Sequence, residues 1–120
     1  MTILHISTTA DWANARRSGE VRPPSLAEQG FTHCSDLGTV HLPAGRLFAG
    51  RTDLLLLVLD PARLGAPLRW EPGDGNPAGP WFPHVYGPIP VAAVAAVMPF
   101  PPDPDGGFRL PVELAEFRAT

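Results

Sequence analysis

LLLLVL, residues 54–59, is the stretch whose reading decides the fold. Six consecutive apolar residues without alternation are what a central β-strand covered on both faces looks like. Asp60 and Pro61 close the run in a turn. Residues 68–71 resume as an alternating strand, with Leu68 and Trp70 inward and Arg69 and Glu71 outward. Residues 94–98 read as another strand, after a helical turn that Pro90 can start.

On the N-terminal side, ILHIS (residues 3–7) reads as a strand followed directly by a helix. Thr8 is positioned to cap that helix, Asp11 completes a capping-box-like pair, and Gly19 ends it. RPPSLAEQG (residues 22–30) is a proline-punctuated loop with room for one helical turn at most, leading into a strand through His33. Ser35 is the expected N-cap of a second helix toward Phe48, kinked or broken by Gly38 and Pro43. The Gly/Pro-rich stretch 71–81 is expected to overhang a site as a loop. The tail, 103–120, is expected to hold a Pro/Gly turn, a short strand at 108–110 and a terminal helical turn. Short strands mixed with a few helices argue an α+β fold. The 120 residues, with no break in composition, predict a single domain, 1–120.

Composition narrows the function. Hydrophobic residues make up 44% and charged ones 18%, enough apolar surface for a core and too little charge for disorder. A net charge of −3 supplies no basic field, so no nucleic-acid partner is expected. All nine basic residues are arginine, which excludes lysine Schiff bases, lysine nucleophiles and the phosphate-loop lysine. Cys34 is the sole cysteine, so no intrachain disulfide is expected. The N-terminus shows no secretory signal pattern, and the longest apolar runs fall far short of the ~20 residues that span a bilayer. The expectation is therefore a cytoplasmic protein with no membrane partner.

Three of the four histidines lie in extended segments that place a second polar group two residues away, hence on the same side. His5 pairs in this way with Ser7 in ILHIS, His33 with Ser35 in GFTHCS, and His84 with Tyr86 in FPHVYG. The expectation is a concave polar site shared by the three imidazoles, with Cys34 turned into the core. His41 is expected at the surface. Glu71, at the end of its strand beside the flexible loop, is a carboxylate placed to stabilise positive charge developing on a sugar carbon. Glu28, in the loop before the second histidine segment, is suited to orienting Arg22 or Ser25. A Cys34–His33 nucleophile pair fails on geometry, because adjacent strand residues face opposite ways. A three-histidine zinc site is an alternative, although no H-E-x-x-H, C-x-x-C or close histidine pair accompanies it. The glycines of PGDG and PAGP do not form the strand–GxGxxG–helix that cradles a dinucleotide.

Four segments in this order, ILHIS, PPSLAEQGFTHCS, AGRTDLLLLVLDPARLGAPLRWE and FPHVYGPIPVAAV, closely resemble the bacterial domain-of-unknown-function family numbered 952. The resemblance runs over about residues 3–100, leaving 101–120 as a C-terminal extension. It implies a split, mostly antiparallel β-sheet similar to that of the ADP-ribosyltransferase superfamily, whose cleft binds NAD and carries an H-Y-E-type triad on three strands. Carried over by order, it puts His5 at the first position, against a ribose hydroxyl, and His33 with Ser35 at the second. The third position falls to Glu71 or to the His84/Tyr86 segment. No tyrosine stands at the second position, a departure from the H-Y-E pattern. The implied ligand is NAD or a related nucleotide or ribosyl compound, taken as a substrate with no resident cofactor. His5, His33, His84 and Glu71 are then the candidate catalytic residues, and Ser7, Ser25, Ser35 and Tyr86 the candidate ligand-binding ones. A non-catalytic small-ligand sensor on the same cleft and a histidine-based metal-dependent hydrolase are the other readings.

Overall fold

A computed structural model describes residues 2–114. The apolar run forms β4 (Leu54–Leu59), the middle strand of a three-stranded antiparallel sheet flanked by β1 (Ile3–Thr8) and β8 (Val94–Pro99). Both of its faces are covered, as its composition predicts. Leu54 and Leu56 pack into one core with Leu4, Val40, Ala44 and Phe100. Leu57 and Leu59 pack into the other with Ile3, Ala15, Cys34, Val85 and Ile89.

β1 runs straight into α1 (Thr9–Ser18), whose cap is the predicted one: Thr8 Oγ1 accepts from the Asp11 backbone N–H at 3.1 Å. Gly19 ends the helix in the left-handed region (φ 93°), which a side chain would strain. The two residues after it form β2 (Glu20–Val21), paired with β7 (Ile89–Pro90).

A second three-stranded antiparallel sheet has the order β3 (Thr32–His33), β6 (Trp81–Val85), β5 (Leu68–Pro72). One bridge joins it to the first. Leu4 N–H donates to Ser35 O at 2.8 Å, and Ser35 N–H returns a bond to Leu4 O at 2.7 Å. Beyond that bridge the strands part: residues 5–8 stay with β4, while Thr32 and His33 pair with Val85 and His84. The result is an α+β fold with mostly antiparallel sheets, split down the middle, and a few short helices.

Four local expectations change. Ser35 caps no helix, because the Leu4 bridge uses both its backbone N–H and its C=O. A turn held by Asp36, whose Oδ1 accepts from Gly38 N–H and Thr39 Oγ1, intervenes before α3 (His41–Leu47) begins. Pro43 fits there because it lies in the first turn, where backbone N–H groups lack intrahelical acceptors. The loop 22–30 carries a slightly longer helix than expected, α2 (Pro24–Gln29), started by proline at its first position. Residues 108–110 form no strand; Phe108 instead packs its ring 5.2 Å from that of Phe100. Of the terminal helical turn, residues 112–114 are helical and the rest of that expectation lies outside the described residues. Among the described residues, no helix is long and apolar enough to cross a membrane.

The two cores meet on β4, so truncation there is expected to be costly. Leu57→Ala should destabilise by about 2–5 kcal/mol, as for other fully buried leucines, and Thr8→Ala by about 1 kcal/mol through loss of the cap. Urea unfolding monitored by tryptophan fluorescence checks both, and an order reversed between them would count against this account of the core.

Candidate functional site

The cleft of this molecule is the split itself. It has a volume of about 600 Å³ and lies where β1 and β3 diverge, closed by α1, the segment around α2, and α3. Such a volume suits a small-molecule ligand. Six of the residues singled out in the sequence line it: His5, Ser7, Ser25, His33, Ser35 and His84. Glu71 and Tyr86 do not; they stand behind His84.

The three histidines reach the cleft, but not from one face of one sheet. Directly opposed residues in a ladder share a face. Ser35 therefore lies on the Leu4 side of the sheet, and His33 lies opposite His84. His5, next to Leu4 along β1, is on the other side, with Cys34 and Ile3. The opening of the sheet, rather than common parity, brings them together. Cys34 is buried in the core as expected and also forms part of the cleft wall. His41 is exposed.

Hydrogen bonds determine what each imidazole offers. His5 Nδ1 lies 2.7 Å from the His33 carbonyl, an acceptor only, so Nδ1 carries a proton and donates. Burial lowers the His5 pKa below its ordinary value, against the opposing pull of the bond to the His33 carbonyl. A neutral His5 thus keeps Nε2 as a lone-pair acceptor. His33 is also lowered, by desolvation and by the charges of His84 and Arg46, and its Nε2 meets Gln29 Oε1 at 2.6 Å. His84, 4% exposed, stacks on Phe31 with ring centroids 4.0 Å apart. Its Nδ1 lies 2.9 Å from Glu71 Oε1, and the same oxygen accepts from Tyr86 Oη at 2.5 Å.

Those two bonds hold the Glu71 carboxyl below the usual carboxylate range, and the carboxylate in turn raises the Tyr86 phenol. Arg69 lies over the Tyr86 ring, 5.1 Å from its centroid. In the neutral tautomer whose Nδ1 donates to an ionised Glu71, Nε2 of His84 is the ring nitrogen with a free lone pair. That is the arrangement of a carboxylate-oriented general base. Burial pushes the Cys34 thiol up, which suits a structural residue rather than a nucleophile.

For a metal site the donor geometry is poor. Among the described residues, no group of three or more His, Cys, Asp or Glu side chains is placed to hold an ion. The His33 and His84 ring centroids are 5.3 Å apart, and Nδ1 of both His5 and His84 is committed to protein acceptors.

Sequence reading missed several lining groups. Asp11 and Asn14 reach the cleft from α1, Arg46 and Phe48 from α3 and its end, and Phe82 and Gly73 from the β5–β6 hairpin. In the sequence Asp11 reads only as a capping residue, and nothing in the linear spacing relates Arg46 to the histidines. Part of the 71–81 stretch does reach the cleft, where a Cβ on Gly73 would come within 2.6 Å of the Phe82 ring. Ser25 Oγ, buried in the wall, has no hydrogen-bond partner among the described residues.

The depressed histidines make stability depend on pH. Between their native values and the ordinary 6.5, the unfolded chain binds more protons than the native one. Stability is then full above pH 6.5 and declines as pH falls through that window. Urea midpoints measured between pH 7.5 and 5.5 should drop in the wild type and drop less in His5→Gln, which keeps a donor but does not titrate. Equal declines in both proteins would remove His5 from this account.

None of the curated proteins compared with this chain matches it. Among solved structures, the chain is similar to the crystal structure of protein CC0527 from Caulobacter crescentus, at 28% identity and a TM-score of 0.81, covering 100% of each chain. A double mutant of that protein gives 27% identity and the same TM-score over the same coverage. Its solution NMR structure gives 29% and 0.75, covering 97% of this chain and 95% of that one. The family model described as "Protein of unknown function (DUF952)" matches residues 6–97, well over half of the sequence, and the chain therefore belongs to that family.

Proposed function

We propose that the cleft binds NAD or a related nucleotide or ribosyl compound and catalyses cleavage or substitution at the ribosyl carbon. The observation that carries this reading is the Tyr86–Glu71–His84 hydrogen-bonded chain, which ends on a buried histidine of the cleft wall. Support also comes from the resemblance to the split-sheet ADP-ribosyltransferase fold, and from His5, whose neutral Nε2 is suited to accept from a ribose hydroxyl. In the reaction, His84 Nε2 takes the proton from an incoming hydroxyl or water as its oxygen bonds to the ribosyl carbon. The glycosidic C–N bond breaks, and its electron pair leaves with the nicotinamide. The Glu71 charge, one hydrogen bond away, stabilises the imidazolium that forms and orients the ring. Glu71 is thus a positioning residue, because its carboxylate is engaged by Tyr86 and His84 rather than lining the cleft.

That same engagement favours a second reading, a non-catalytic nucleotide-binding module. A carboxylate held behind His84 is not free to face a sugar carbon directly.

Thermal melts with millimolar NAD, ADP-ribose and AMP test binding, since ligand at a hundredfold excess over Kd adds about 2.7 kcal/mol of stability. Nicotinamide release tests chemistry. Glu71→Gln should lower turnover by about two to three orders of magnitude while leaving Kd within a few-fold, and His5→Ala should weaken binding. Tight binding with no release above the uncatalysed rate would establish the module instead. Absence of any nucleotide shift, with a chelator-reversible shift on zinc or nickel, would replace both readings by a metal site.

A further inference from the structure

The charges around the cleft are unevenly distributed. Two arginines line it, Arg22 and Arg46. Arg22 is neutralised by Glu20, 3.0 Å away. Arg46 has no acidic partner among the described residues, so of the two lining arginines it is the one left unpaired. Asp11 also lines the cleft, from α1, while Arg46 enters it from α3. Besides the paired Arg22 and Glu20, the lining thus carries one acidic side chain, Asp11, and one basic one, Arg46. Apolar side chains, among them Ile6, Val21, Pro43, Phe48 and Phe82, make up much of the remaining wall. A guanidinium without a carboxylate partner that borders a largely apolar cavity is a fitted partner for an oxyanion, which it can grip through two parallel N–H donors.

We infer that Arg46 is the anion-binding residue of the cleft, and that the ligand carries a phosphate group seated against it beside His33. This inference rests on the nucleotide reading for the identity of the ligand, but the anion site itself stands or falls separately. The rest of a phosphorylated nucleoside then lies along the apolar walls, with its hydroxyls toward His5 and Asp11. Arg46 is exposed on α3, so replacing it leaves the cores intact.

The test uses the full chain as wild type, Arg46→Gln, Arg46→Lys and, as a charge-matched control away from the cleft, Arg16→Gln. Binding of AMP, adenosine and inorganic pyrophosphate is measured by calorimetry and thermal shift. Wild type should bind AMP more tightly than adenosine. Arg46→Gln should weaken AMP by about 10- to 100-fold, the worth of hydrogen bonds to a charged group, leave adenosine unchanged and abolish the pyrophosphate shift. Arg46→Lys should recover part of the loss, and Arg16→Gln should behave as wild type. Pyrophosphate stabilisation that depends on Arg46, with no response to AMP or adenosine, would uphold the anion site and overturn the nucleotide reading. AMP and pyrophosphate binding unaltered by Arg46→Gln, an equal loss in Arg16→Gln, or no response of the wild type to either anion would overturn the inference.

Discussion

The backbone bridge between Leu4 and Ser35 is the contact on which the rest of this structure depends. Among the described residues it is the backbone pairing that joins the two three-stranded sheets. Past it β1 pairs with β4 and β3 pairs with β6, so the two strands belong to different sheets. Register at such a joint is decisive, because a slip of one residue would exchange the two faces of β1. Leu4 would then leave its core, and His5 would replace it among Leu56 and Phe100. The alternation of Ile3, Leu4, His5 and Ile6 guards against that slip, since each face of β1 fits one environment only.

The gap exposes backbone that must still be paired, and side chains do part of that work. His5 reaches across to the carbonyl of His33, so the residue that lines the cleft also spans it. Thr32 plays the corresponding part deeper in the fold, donating from Oγ1 to Gly87 O at 2.9 Å. Burial of these groups is tolerable because they are bonded. Ser25 Oγ, buried and without a partner among the described residues, is the exception, in a residue that lines the cavity.

A second level of organisation lies behind the cleft wall. Arg69, Glu71, His84 and Tyr86 are brought together by the β5–β6 hairpin, in which Arg69 opposes His84 across the ladder. Glu71, two residues on from Arg69, shares that face and reaches His84 and Tyr86 with one oxygen. The hairpin converts a sequence separation of thirteen residues between Glu71 and His84 into a hydrogen bond. The Gly/Pro-rich loop that closes it lets the chain reverse and places Gly73 flat against Phe82.

What the sequence by itself determined is local and periodic. Six apolar residues in a row specified β4 as a strand with two covered faces, Thr8 and Gly19 delimited α1, and alternation along 68–71 separated inward from outward residues. These hold because they depend on neighbours one to four positions away. The identity of the cleft-lining histidines was also legible, since each stands out as a polar residue in an apolar strand. Their arrangement was not. Parity within a strand says nothing about how one strand is turned relative to another, so the opposed placement of His5 and His33 awaited the Leu4–Ser35 pairing. For the same reason the role of Ser35 was misread as a helix cap, and Arg46 and Asp11 gave no signal. Only the tertiary structure decided that Glu71 stands behind His84 rather than in the cleft, because long-range strand pairing, not local preference, sets which side chains meet.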